Sequence, residues 1–287
     1  MKKLSFFFLV LINLLPTKAQ IPSIFVDGIF YNIISIEEMT VEVANPGPGK
    51  VYIGEINIPS KITFKNKEFS VIGIGERAFY NSRVINVNIA EGIKYIGVQA
   101  FYKADILRNI TLPHSLNNIR FSGLAANLLE ELTLHKNIKD FDLGTTIVKG
   151  VLKIDDSYES VNACSMYATT LYIGRNFRKG LCPPIMAKEI IISDKVNYLY
   201  NILDRYCEGE IDLQSYKYEK PTLRRYYDNI KGKRKIFLKH KTPPYVEKFN
   251  NKMADLYVNV PLYVPKESLE QYKQDPIWGQ FFEIIGY

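Results

Sequence analysis

Cysteine is scarce, with three in 287 residues: Cys164, Cys182 and Cys207. That excludes a disulfide scaffold, so the fold must rest on packing. The odd count leaves at least one thiol free or paired between chains if the protein is exported. Histidine is equally sparse, at three, and His240 has no partner at ligand spacing, which argues against a metal centre. No Ser, Cys or Asp stands in a recognisable nucleophile motif. Long apolar runs are missing apart from Leu4 to Leu15, which is too short to cross a bilayer. A strong charge bias is also missing: a formal net charge of +7 says little about nucleic acid.

The one apolar run has a context. Lys2 and Lys3 precede it, and Thr17-Lys18-Ala19 offers small residues at the −3 and −1 positions before Gln20. This is the three-part form of a secretory signal peptide, residues 1–19. Without its three lysines the net charge falls from +7 to +4. No cysteine adjoins the cleavage site, so a lipid anchor is not expected there. The expected location is secreted, periplasmic or cell-surface.

What the chain has in abundance is self-similarity. In "VINVNIAEGIKYI", "LRNITLPHSLNNI" and "LEELTLHKNIKDF", apolar residues fall at offsets 0, 3, 5, 9 and 12. They are Val84, Val87, Ile89, Ile93 and Ile96; Leu107, Ile110, Leu112, Leu116 and Ile119; and Leu129, Leu132, Leu134, Ile138 and Phe141. Upstream, Ile53, Ile56, Ile58 and Ile62 fill the first four columns, and an insertion near "TFKNKEFSV" delays the fifth to Ile74. Downstream, the pairs Leu152/Ile154, Leu171/Ile173, Ile190/Ile192, Ile211/Leu213, Ile236/Leu238 and Leu262/Val264 fill offsets 3 and 5. This gives about ten strand-like units.

One coil of some 22 residues buries five or six aliphatic side chains, each worth about 1.5–3 kcal/mol, against about 1–2 kcal/mol per residue of backbone ordering. A lone coil loses. Stacked coils share their faces, so the coils fold together and the ends need caps. Asp27-Gly28 between apolar segments reads as a hairpin capping the N-terminal end. At the other end, a strand and Pro265 lead to a short helix capped by Ser268 and running to Lys273, with Trp278, Phe281 and Phe282 sealing the last layer. The expected division is an N-terminal cap over 20–52, a solenoid over 53–258 that is regular to about 145, and a C-terminal cap over 259–287.

Two cofactor motifs fail. "IGIGERAFY" fits G-x-G-x-x-A, but Ile74, Ala78 and Phe79 recur as Ile96, Ala100 and Phe101 with only Gly97 surviving, and no room remains for a long helix. Ala78 and Phe79 are expected to pack in a short helical turn. "NPGPGKV" has Val51 where a phosphate loop needs Ser or Thr. No cofactor is expected.

The segments "IGERAFYNSRVINVNIAEGIKYIGVQAFYKADILRNITLP" and "LYVPKESLEQYKQDPIWGQF", with "DGIFYNI" and "IPSKITFKNKEFSVIGIGERAF", resemble the BspA-like leucine-rich-repeat proteins of bacteria. The resemblance covers 27–145 and 260–283. It implies a right-handed solenoid with parallel strands, one per coil, joined by short helical turns. It also implies a surface or exported location and a binding or adhesion role, with no catalytic residues.

Candidate contact residues come from strand alternation: offset 4 points away from the core. That column reads Asn57, Asn88, Thr111, Thr133, Lys153, Tyr172, Ile191, Asp212, Phe237, Tyr263. Its later half, Tyr172, Ile191, Asp212, Phe237 and Tyr263, is either a face for a protein or glycan partner or a surface covered by a loop or the C-terminal cap. A basic stretch, "LRRYYDNIKGKRK", gathers Arg224, Arg225, Lys231, Lys233, Arg234 and Lys235. Behind a leader it suits an acidic glycan or an anionic cell surface rather than nucleic acid, or else it is a solvated loop. His114 and His135 sit at offsets 7 and 6 and so share no column. Cys164 and Cys182, 18 apart, stack in adjacent coils as a disulfide or a buried ladder. Asp155-Asp156 and Glu130-Glu131 read as solvated charges, with a glycosidase pair left open. Three functional readings follow: a monomeric exported binding protein, a component of an envelope assembly and, remotely, a glycan hydrolase.

Overall fold

The computed structural model describes residues 23–125, 128–144, 146–157, 159–163, 166–177, 185–199, 202–203, 234–246 and 254–287. The strands are β1 (Ser23–Val26), β2 (Ile29–Ser35), β3 (Thr40–Val43), β4 (Ile53–Ile58), β5 (Lys61–Phe64), β6 (Lys67–Ile74), β7 (Arg83–Ile89), β8 (Tyr95–Ile96), β9 (Asn109–Thr111) and β10 (Asn118–Ile119). They continue with β11 (Leu132–Leu134), β12 (Asp140–Phe141), β13 (Ile147–Ile154), β14 (Asn162–Ala163), β15 (Met166–Ile173), β16 (Ile185–Ile192), β17 (Lys235–Leu238), β18 (Leu262–Val264) and β19 (Ile284–Gly286). Two α-helices, α1 (Ala254–Asn259) and α2 (Leu269–Gln274), lie near the C-terminus. Among the described residues, no helix is long and apolar enough to cross a membrane.

Two parallel ladders organise these strands. The first runs β4-β7-β9 and then β11-β13-β15-β16-β17-β18-β19. The Glu130 N–H donates to Arg108 O at 2.9 Å and carries the stack across from β9 to β11. Its register superposes the offset-3 column: Ile56 on Val87 on Ile110, then Leu132, Leu152, Leu171, Ile190, Ile236 and Leu262 in succession. From Val87 onward these side chains are buried in one continuous core. Each layer shields the next, and each aliphatic buried this way contributes about 1.5–3 kcal/mol.

The second ladder is β3-β6-β8-β10-β12-β14, which stacks Ile74, Ile96, Ile119 and Phe141, the offset-12 column. Where both strands are described, a coil therefore holds two strands, which corrects the expectation of one. The second strand is only two residues long in β8, β10, β12 and β14.

The segment joining the ladders is a run of turns rather than the expected short helix. Arg77, Asn81, Gln99, Lys103 and Ser122 have φ between 49° and 60°, left-handed backbone that ends any α-helix. Backbone N–H groups alternate in purpose. Those of Ala78, Tyr80 and Ser82 donate within the turn to Gly75, Arg77 and Phe79. Those of Arg77, Phe79 and Asn81 donate to the next layer, to Val98, Ala100 and Tyr102. The turns thus form a third ladder, and Ala78, Phe79, Ala100 and Phe101 are fully buried inside it. Phe79 stacks on Phe101 with centroids 4.8 Å apart and planes 3° apart, and meets Tyr52 at 4.8 Å with planes tilted by 45°.

At the N-terminal end β1, β2 and β3 form an antiparallel meander, and β3 joins β6 in parallel. Asp27 and Gly28 turn the first hairpin with φ of 48° and 82°. The insertion near residues 63–71 folds as a second hairpin, β5-β6, turned by Lys65 and Asn66 in the left-handed region. Ile53 leaves its expected column: a register shift sets it opposite Arg83 and sets Gly54 opposite Val84, so Ile53 is 65% exposed.

Toward the C-terminus β16 pairs directly with β17; Ile211 and Leu213, expected to form a layer of their own, lie outside the described residues. A layer that the sequence reading lacked, β19, follows β18. Trp278 and Phe281 are buried and Trp278 Nε1 donates to Pro244 O at 2.9 Å, whereas Phe282 is 87% exposed and seals nothing. Ser268 precedes α2 but spends its hydroxyl on Lys241 O rather than on the helix.

Candidate functional site

Strand alternation on the first ladder sets one side chain per layer facing away from the core, and the register keeps them in file. Asn57, Asn88 and Thr111 superpose, and so do Thr133, Lys153, Tyr172, Ile191, Phe237, Tyr263 and Ile285. The first part is polar and self-satisfied. Asn88 Nδ2 donates to Asn57 Oδ1 at 2.8 Å, and Thr111 Oγ1 donates to Asn88 Oδ1 at 3.2 Å. A parallel row links Asn109 to Asn86 and Asn86 to Glu55 at 2.9 and 2.8 Å.

The later part is apolar and aromatic. Tyr172, Ile191, Phe237 and Tyr263 are consecutive neighbours and each is half-buried. Phe237 and Tyr263 stack at 4.4 Å with planes 18° apart, and Tyr287 meets Phe237 edge-on at 5.7 Å. Lysines lie over the rings: Lys239 Nζ is 4.7 Å from the Tyr172 centroid and Lys235 Nζ is 5.8 Å from that of Tyr263. Contacts of this kind are worth about 0.5–1 kcal/mol when exposed. Burial, with the hydrogen bond to Asp156 at 2.9 Å, pushes the Tyr172 hydroxyl up to about 12, so it remains a neutral donor. Sequence reading missed Ile285, Tyr287 and Lys239. The signal for Ile285 was present, because a step of 22 residues from Tyr263 lands on it.

Asp212 lies outside the described residues, as do Arg224, Arg225, Lys231 and Lys233, and all three cysteines. The two described members of the basic stretch are engaged by acids: Arg234 with Asp255 at 2.8 Å and Lys235 with Glu189 at 3.3 Å.

The histidines depart from expectation. The rings of His114 and His135 lie 4.1 Å apart although their offsets differ, because His135 reaches back one layer to put Nε2 3.0 Å from Leu112 O. Its Nδ1 is 3.4 Å from Asp155 Oδ2. Burial raises the Asp155 carboxyl, but the Lys153 ammonium at 2.8 Å and His135 outweigh it and hold it below the usual range. Among the described residues, no group of three or more His, Cys, Asp and Glu is placed to hold a metal. Beneath this pair, Arg175 is fully buried and donates to the carbonyls of His135, Lys136 and Ile138. It braces the loop between β11 and β12.

Chemically, the strand face offers a rigid file of ring edges and aliphatic groups among ammonium ions. It suits contact with a large partner.

Residues 72–145 match the model of the BspA-type leucine-rich-repeat region, in six copies. No curated protein matches the chain. Solved structures similar to it include a leucine-rich-repeat protein of Bacteroides capillosus ATCC 29799, 24% identical over 40% of this chain and 84% of that one, with a TM-score of 0.35. Another is a leucine-rich-repeat protein of Bacteroides ovatus ATCC 8483, 16% identical over 92% of this chain and 76% of that one, with a TM-score of 0.37. A third is a leucine-rich cell surface protein of Faecalibacterium prausnitzii A2-165, 15% identical over 61% of this chain and 50% of that one, with a TM-score of 0.36. Residues 72–145 are thus similar to a BspA-type leucine-rich-repeat region.

Proposed function

We propose that the chain is a non-catalytic binding protein, exported behind the leader at residues 1–19, that engages a protein or glycan through the outward face of its strand ladder. On this reading residues 53–258 form a right-handed solenoid between caps at 20–52 and 259–287, and the contact surface centres on Tyr172, Ile191, Phe237 and Tyr263. The observation that carries the proposal is the unbroken register of those four half-buried side chains on adjacent strands. Aromatic anchors in file, already restrained by their neighbours and so losing less freedom on binding, are what a recognition face requires.

The test is a binding screen of the purified chain against glycans and against envelope and host proteins, repeated with Tyr172→Ser/Phe237→Ser/Tyr263→Ser. Loss of an anchor side chain costs about 2 kcal/mol or more, roughly thirtyfold in affinity. A partner whose affinity survives the triple substitution would refute the site. Stoichiometric capture of a single envelope protein through the same strip would instead make the chain an assembly component.

A further inference from the structure

Residues 76–121 carry six cations, Arg77, Arg83, Lys94, Lys103, Arg108 and Arg120, against three carboxylates, Glu76, Glu91 and Asp105. Among the described residues, none of the six cations forms an ion pair, unlike Arg234 and Lys235. Three of them share the side of the molecule made by the second ladder and the turns. Arg77 lies 5.7 Å over Tyr80, Lys103 lies 5.8 Å over Tyr102 and 5.9 Å over Tyr80, and Arg120 lies 4.8 Å over Tyr95.

The turn ladder holds them in succession. Arg77 N–H donates to Val98 O and Gln99 N–H donates to Phe121 O, so Arg77, Gln99 and Ser122, all with left-handed backbone, are stacked one layer apart. Arg77 Nε also donates to Gln99 Oε1 at 2.9 Å, which leaves the two terminal nitrogens of its guanidinium for an incoming group. Arg77, Lys103 and Arg120 belong to three successive layers, about 4.8 Å apart, at different positions along the turn. The rings beneath fix them. Tyr95 lies flat over Gly73, where a Cβ would sit 2.2 Å from its ring, and its hydroxyl donates to Glu42 Oε2 at 2.7 Å.

We propose that this turn face is a second binding surface, distinct from the strand face, and that it takes an acidic polysaccharide with a carboxylate or sulfate on its sugar rings. The cations come from three successive layers and form no ion pair among the described residues, which leaves them for a polyanion that runs across the layers. A nucleic acid needs open ring faces for its bases, but Tyr80 and Tyr102 stack on each other at 6.0 Å and Tyr95 is packed on Gly73. An extended acidic peptide gains most of its affinity from main-chain hydrogen bonds, and here the alternate N–H groups of the turns are consumed between layers. A saccharide needs only side-chain donors and an apolar flank, which Phe121, 64% exposed, provides.

The experiment titrates the purified chain with polygalacturonate, with dextran, polyglutamate and oligo-dT as comparators. The expected result is binding of polygalacturonate at low salt that weakens steeply at moderate salt through screening. Affinity should fall at least about tenfold in Arg77→Gln/Lys103→Gln/Arg120→Gln with the circular dichroism spectrum unchanged. Binding by the Tyr172→Ser/Phe237→Ser/Tyr263→Ser variant should be unaffected, which separates this surface from the strand face. No binding at low salt, equal binding by the triple glutamine variant, or tighter binding of polyglutamate or oligo-dT would each overturn the proposal. Should the glutamine variant fail to fold, Arg120→Gln alone, with its exposed guanidinium, serves the same comparison.

Discussion

Truncating Phe79 to alanine should destabilise the chain more than truncating any other ring on the turn side. Phe79 is fully buried, stacked on Phe101 and met by a Tyr52 ring tilted at 45°, each with centroids 4.8 Å away. Removing a buried phenylalanine side chain costs about 3–5 kcal/mol when the cavity cannot collapse. Here it cannot, because Arg77, Phe79 and Asn81 are tied through their N–H groups to the next layer. The two ring partners contribute about 0.5–1.5 kcal/mol each beyond area burial, which puts Phe79→Ala at the upper end of the range. Phe101→Ala should fall at the lower end, since its next-layer neighbour is Leu124, which is buried but offers no ring. Phe121→Ala, at a 64% exposed position, should change stability by less than about 0.5 kcal/mol. Urea titration followed by far-ultraviolet circular dichroism ranks the three. Net stabilities of about 5–15 kcal/mol make the first loss unmistakable. A Phe79→Ala midpoint equal to that of Phe121→Ala would refute the stacked-turn account.

Two further outcomes follow from single residues. Gly73→Ala should lower stability by about 1–3 kcal/mol by displacing the Tyr95 ring, and in the background Tyr95→Ala the same change should cost far less; equal costs in thermal melts would contradict the packing. His240 is buried with Nε2 2.9 Å from Val196 O and, among the described residues, no partner on Nδ1, and burial pushes its pKa below the ordinary 6.5. The unfolded chain therefore takes up the proton first, so this contribution is intact above about pH 6.5 and is lost as pH falls from there through the folded value. His240→Gln should show a shallower loss of stability over that window, and an unchanged pH profile would contradict the assignment.

The offset columns at 3 and 5 were legible because burial on a strand demands alternate aliphatics, and no neighbouring constraint obscured Val87/Ile89 or Leu171/Ile173. The second strands were not, since Tyr95–Ile96 is too short to show a period. The turn ladder is made by backbone groups, which leave no trace in side-chain pattern beyond the recurrence of Ala78-Phe79. The shift at Gly54 and the layer β19 escaped for a related reason: a bulge or a layer ending in glycine removes the apolar residue that marks a column. Cations spread at 77, 103 and 120 do not form a run, so scanning for contiguous charge finds 224–235 instead. They share one side, with Arg77 and Lys103 over the same Tyr80 ring, only because each layer returns to the same place.

The central claim is that consecutive layers stack in the register observed, including the direct pairing of β16 with β17. Nitroxide labels at Thr133 and Tyr263, attached through a click-reactive residue so that the native cysteines are untouched, lie five layers apart. A pulsed dipolar measurement should give a single narrow distance near 24 Å, at about 4.8 Å per layer. A distance near 29 Å, one layer more, or a broad distribution would contradict the stack.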